Sequence, residues 1–173
     1  MRLDRVPAGT RIFLDANIFV YHFTGVSPQC TAALARCEGS DLLGVTSVHV
    51  LAEVTHRLMA IEAARKGLVT TGNVAAKLRE HPEIVRGLTD YQTNLEALLT
   101  IGIEALSMEA DDLVASGTVR RTTGLLTNDS LIVAMLRRER LRALATTDND
   151  FHRVPDLRVY VPSDLAALLP PRA

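Results

Sequence analysis

Residues 10–23 read TRIFLDANIFVYHF. The apolar run Ile12-Phe13-Leu14 drives into Asp15, and the chain turns apolar again after Ala16 and Asn17. An unbroken apolar run of this length reads as a short buried strand over residues 11–15. A carboxylate at the end of a buried strand needs a counter-ion, a hydrogen-bonding cap or a metal, because unpaired buried charge is expensive. No nearby Lys or Arg stands in register with Asp15.

The same punctuation recurs downstream. Strands are predicted at 42–47, 102–106, 141–148 and 157–162. Ser27-Pro28 is a cap and first-turn pair for a helix over 28–38, and Thr46 or Ser47 caps another that runs to about Lys66. Helices follow at 109–123 and 128–140, with a closing helix at 163–169. Residues 68–100 read as a helical hairpin or insertion, broken near His81-Pro82. Strands alternating with helices predict an α/β domain spanning 1–173, with a mostly parallel sheet of about five strands covered on both faces.

Apolar residues make up 47% of the 173 and aromatics 4%, so the core is built from Ala, Leu, Val and Ile. A net charge of −1 excludes a uniformly basic nucleic-acid binder. The charge is unevenly spread, however. Arg120, Arg121, Arg137, Arg138, Arg140 and Arg142 face only Asp129 and Glu139 in their own region. That cluster is either a phosphate-facing patch or a pair of solvated helix ends. Cys30 and Cys37, on one helix, lie about 10 Å apart, too far to bridge. Neither a signal core nor an apolar run of membrane length occurs, which leads us to expect a cytoplasmic protein with no membrane contact. His49 and His56 read as exposed on one helix face, and His22, His81 and His152 are scattered. Nucleotide loops of the GxGxxG or Walker kind and the nucleophile elbow are missing from the sequence.

In an open parallel sheet the ligand crevice lies beyond the carboxyl ends of the strands. Asp15 closes the first strand there, and Asp148 closes the fourth with Asp150 two residues on. Asp129 opens a helix, and Glu53 falls about 110° from the centre of the apolar stripe of its own helix, at the border of the buried face. Each has an ordinary explanation alone: a first-turn acid for Asp129, an Asx-turn for Asp148 and Asp150, a boundary residue for Glu53. Together, several carboxylates in one cleft repel at low dielectric, and a divalent cation relieves that repulsion. Hard oxygen ligands without a His or Cys cluster favour Mg²⁺ or Mn²⁺ over Zn²⁺.

FLDANIFVY with Asp15, TSVHVLAEV with Glu53, LLTNDSLIVAM with Asp129 and LATTDNDF with Asp148 and Asp150 resemble, in order and spacing, the four motifs of PIN-domain ribonucleases, most closely the small prokaryotic VapC-type toxins. The resemblance implies a three-layer α/β/α fold and an Mg²⁺- or Mn²⁺-dependent endoribonuclease. Asp15, Glu53, Asp129 and Asp148 would be its acidic quartet, with Asp15, Asp129 and Asp148 on the metal. Asp150 would be an accessory acid, and Asn17, Ser47 and Thr146 would support the metal-binding acids. It also implies an RNA substrate, an antitoxin partner and a homodimer. Arg137, Arg138, Arg140 and Arg142 are the candidates for holding RNA. A PIN nuclease acting on DNA or in RNA processing stays open, as does a degenerate RNA-binding module. A phosphatase that begins on strand-Asp expects a second Asp two residues later, where this chain has Asn17.

Overall fold

The computed structural model describes residues 1–70 and 72–165. Its central strand is β1 (Arg11–Leu14), whose Ile12, Phe13 and Leu14 are fully buried. Both faces of β1 are covered, which is why its sequence is a continuous apolar run rather than an alternation. β2 (Leu43–Ser47), β3 (Glu104–Leu106), β4 (Ala143–Ala145) and β5 (Arg158–Tyr160) complete a five-stranded sheet in the order β3-β2-β1-β4-β5. Every pairing is parallel, so the expected mostly parallel sheet is wholly so. The strands are shorter than the sequence suggests, because residues such as Leu141 and Thr146 are buried as flanks of the ladder rather than within it.

The chain winds outward from β1 through β2 to β3, then returns to the other side of β1 for β4 and β5. Right-handed crossovers put the helices of the two halves on opposite faces. α1 (Ala16–Phe23), α2 (Pro28–Glu38), α3 (Val48–Arg65) and α6 (Asp90–Thr100) pack with one another on the first face. α7 (Ala110–Thr123) and α8 (Thr127–Arg138) pack together on the second. The result is the three-layer α/β/α arrangement, and its winding direction reverses between β1 and β4. Ligand crevices open at such a reversal, beyond the carboxyl ends of the strands.

Two elements depart from expectation. Residues 16–23 form α1, a helix hidden in the sequence because the consecutive buried residues Ile18, Phe19 and Val20 read as an apolar run without helical period. The 68–100 segment is helical, as expected, but in three helices rather than the two of a hairpin. It holds α4 (Val74–Glu80), α5 (Pro82–Gly87) and α6, the first break falling at His81 with Pro82 at the start of α5. Ala63, Leu78 and Leu88 give this segment a small apolar cluster of its own. The closing helix expected over 163–169 lies, beyond Leu165, outside the described residues. Cys30 and Cys37 are buried and free.

Candidate active site

Asp15 follows directly on β1 and caps α1. Its Oδ1 accepts from the Ala16 amide at 2.8 Å, and its Oδ2 accepts from the Thr146 hydroxyl at 2.7 Å. Thr146 sits just past β4, so this hydrogen bond bridges the two strands at the winding reversal. Only 7% of Asp15 is exposed. Burial raises its pKa above the usual carboxylate range, and the two donors and Arg57 act against that rise.

Asp148 lies two residues beyond Thr146, and its amide donates to the Thr146 hydroxyl at 3.0 Å. Its own Oδ1 accepts from the Asp150 amide at 2.8 Å, so the Asx-turn reading and the site reading hold together. Asp129 occupies the first turn of α8, where the helix dipole favours an anion. Its pKa nevertheless rises to about 6, first through burial and then through the charges of Asp148, Asp15, Asp150 and Glu53. Asp129 therefore feels the charges of the other four sequence-selected acids.

Glu53, on α3, is half-buried at the rim. One turn later Arg57 stands 3.4 Å from Glu53 Oε1 and donates to Asn17 Oδ1 at 2.8 Å, while the Asn17 amide reaches Asp15 Oδ2 at 3.4 Å. This corrects the expectation that the acids lack a basic partner. Arg57 is a functional candidate that sequence reading passed over, although the Glu-x-x-x-Arg spacing on one helix was its signal. Ser47 does not reach the acids. It is the buried cap of α3, its Oγ accepting from the Val50 amide at 3.2 Å, and it serves the site only by fixing the helix that carries Glu53. His49 is half-buried rather than exposed, and its Nε2 is buried with no hydrogen-bond partner.

The arginine cluster divides. Arg120 turns inward and donates to Ser116 and Ser130 Oγ at 2.9 and 3.1 Å. Arg138 lies 3.3 Å from the buried Asp112 and within 4 Å of Glu109 and Glu139, so it joins α8 to α7. Arg137, Arg140 and Arg142 remain, exposed and free of ion pairs among the described residues. They line an open groove of about 470 Å³ at the end of α8 away from Asp129.

The sequence pattern of the PIN domain matches residues 12–157, from β1 to just before β5. The chain belongs to the PIN-domain family. This PIN domain is also 26% identical over 150 residues to Ribonuclease VapC2 of Methanocaldococcus jannaschii, a match covering 86% of the chain and 92% of that protein. Among solved structures, it resembles VapBC2 of Rickettsia felis bound to a promoter DNA fragment, with a TM-score of 0.57, 20% identity, and 88% and 98% of the two chains covered. VapC20 of Mycobacterium tuberculosis, described as a Sarcin-Ricin loop cleaving toxin, gives a TM-score of 0.56 at 16% identity over 85% and 98% of the chains. A toxin–antitoxin complex from Klebsiella pneumoniae gives 0.54 at 19% identity over 90% and 98%. At these identities the structural likenesses speak for the fold, and the five acids lie at the reversal point of that fold.

Proposed function

We propose that this PIN domain is a divalent-metal-dependent endoribonuclease that hydrolyses RNA phosphodiester bonds as the toxin of a toxin–antitoxin pair. The observation that carries this reading is the joining of Asp15 and Asp148 through Thr146 at the winding reversal, with Asp129 in the same crevice and raised to about 6 first by burial and then by the charges of the other four acids. The relatives named as ribonuclease and toxin support it.

The donor set suits Mg²⁺ or Mn²⁺, being all carboxylate oxygen with no His or Cys among the five. Among the described residues no three such side chains already stand in a ligating arrangement, so binding has to draw the acids together. Asp15, Asp129 and Asp148 would hold the cation. When bound, it supplies counter-charge to the acids and Lewis acidity toward a phosphodiester. The chain's own groups do the positioning. Thr146 and the Ala16 amide hold both oxygens of Asp15, and Asp148 is fixed through Thr146 and the Asp150 amide. Arg57 steadies Glu53 and Asn17 at the rim. The reading extends to an antitoxin as protein partner, following the toxin–antitoxin complexes among its structural relatives, and to a homodimer.

Purified protein incubated with RNA should cut it in Mg²⁺ or Mn²⁺ and stop in chelator. Asp15→Asn and Asp129→Asn should each lower the rate at least a hundredfold. Matched DNA of the same sequence should survive. Full cleavage by Asp129→Asn would remove that acid from the assignment, and equal cutting of DNA would remove RNA as the substrate class.

A further inference from the structure

We propose that the groove lined by Arg137, Arg140 and Arg142 binds the phosphate backbone of the RNA strand whose scissile bond lies at the acids, an inference that rests on the ribonuclease reading. The first support is unspent charge. The fold commits acids to Arg138 one residue away, yet leaves these three cations unpaired around a groove whose lining contains a single acid, Asp156. Compensating the dipole of α8 accounts for Arg137 in its last turn. It does not account for Arg140 and Arg142, which lie beyond the helix.

The second support is continuity with the acidic crevice. α8 carries Asp129 in its first turn on the carboxyl rim of the sheet and ends at Arg138 on the amino rim. Val133, Leu136 and Arg137 line the groove, but Ser130 to Leu136 are buried, so α8 itself offers no exposed face between Asp129 and Arg137. Eight residues of helix separate Asp129 from Arg137 by about 12 Å. The exposed route between rim and groove is the chain after β4. It leaves the rim at Asp148 and Asp150, passes Arg153, and reaches Val154, Pro155 and Asp156 in the groove. Parallel β4 and β5 require this return from rim to rim. A strand of nucleic acid following this stretch, where Asn149, His152, Arg153, Pro155 and Asp156 are exposed, meets acids at one end and arginines at the other.

The third support is backbone cost. Arg140 holds φ 55°, a left-handed conformation that glycine adopts without strain. The fold alone would be served by glycine there, and an arginine adds nothing to the packing.

The test is binding of a fluorescein-labelled oligouridylate in chelator, followed by anisotropy across a salt series. The variant is Arg137→Ala, Arg140→Gly and Arg142→Ala together, and Arg140→Gly should favour its folding. The control is Arg65→Ala, Arg79→Ala and Arg86→Ala, exposed arginines elsewhere with the same total charge. Each lost phosphate contact on a single strand flattens log affinity against log salt by about 0.7, so the groove variant should be shallower by about 2. The control should match wild type. An unchanged slope in a groove variant with wild-type melting overturns the proposal, as does an equal loss in the control. Tighter binding of labelled polyglutamate than of the oligouridylate, lost in the groove variant, would overturn it in favour of an acidic protein segment. The slope decides the groove whether or not the wild type cuts RNA, so failure of the ribonuclease reading is seen separately in the cleavage assay.

Discussion

Asp129 carries the clearest thermodynamic signature of the site. Its carboxyl titrates near 6 in the fold against 3.8 in the unfolded chain, with burial as the leading cause. A raised acid pKa means that the folded state binds the proton more tightly. Without metal, the group therefore weakens the fold above about pH 6, and that penalty fades as pH falls through 6 toward 3.8. In chelator, Asp129→Asn should melt above wild type at pH 7.5, and the gap should close by pH 4. Thermal scans of the two proteins across that range measure it; a constant gap would show that the charge is not the cause. Asp15, Asp129 and Asp148 stood out in the sequence because each ends or opens an element, whereas Glu53 stood out only by its place at the border of the apolar stripe of α3. Arg57 escaped because attention to Asp15 alone looks for a partner next to β1, whereas the partner arrives from the far end of another helix turn.

Glu62 makes the most of its element. It lies on α3 with 5% exposure, and its oxygens accept from the Thr89 and Tyr91 amides at 2.9 Å and from Lys66 Nζ at 2.5 Å. It thus supplies from another helix the cap that Thr89 does not provide for α6. These partners outweigh its burial and hold its pKa down at about 2. Glu62→Ala should cost about 2–3 kcal/mol, since it strands buried amides that had a charged acceptor. A lowered acid pKa gives the opposite sign to Asp129: the stabilisation is full above about 4.5 and is lost as pH falls toward 2. Denaturant titrations of wild type and Glu62→Ala should converge over that interval, and parallel curves would refute the assignment. Helices with a polar face, such as α3 and α7, were legible from spacing. α1 was not, because Ile18, Phe19 and Val20 form an unbroken apolar run that masks the period, and neither was the docking of α6, which depends on a carboxylate about 27 positions earlier in the chain.

At the scale of the molecule, strand order was the decisive information absent from the sequence. Alternating elements announce a parallel sheet, but only the order β3-β2-β1-β4-β5 brings Asp15 beside Thr146 and places the winding reversal between them. The arginines illustrate the same limit. Of the six, tertiary contacts make Arg120 a half-buried donor, Arg138 a helix–helix tie, and Arg137, Arg140 and Arg142 the rim of a groove, while Arg121 stays exposed on α7, a division no count of charge could make.

That strand order also sets a timetable. β1 emerges early in synthesis, yet its second neighbour, β4, is made after more than a hundred further residues, on the order of ten seconds later. Until then Asp15 has neither the Ala145 carbonyl for its amide nor the Thr146 hydroxyl for its carboxylate. Hydrogen exchange should detect this state. A chain stopped at Arg140 should lose protection at Phe13 through Asp15 while keeping it within α3, and full protection of β1 in that shortened chain would refute the dependence. A half-made copy therefore carries Asp15 and Glu53 without the acids that complete their site. If the proposed ribonuclease reading holds, the chain is in this way silent while it is still attached to the RNA that encodes it.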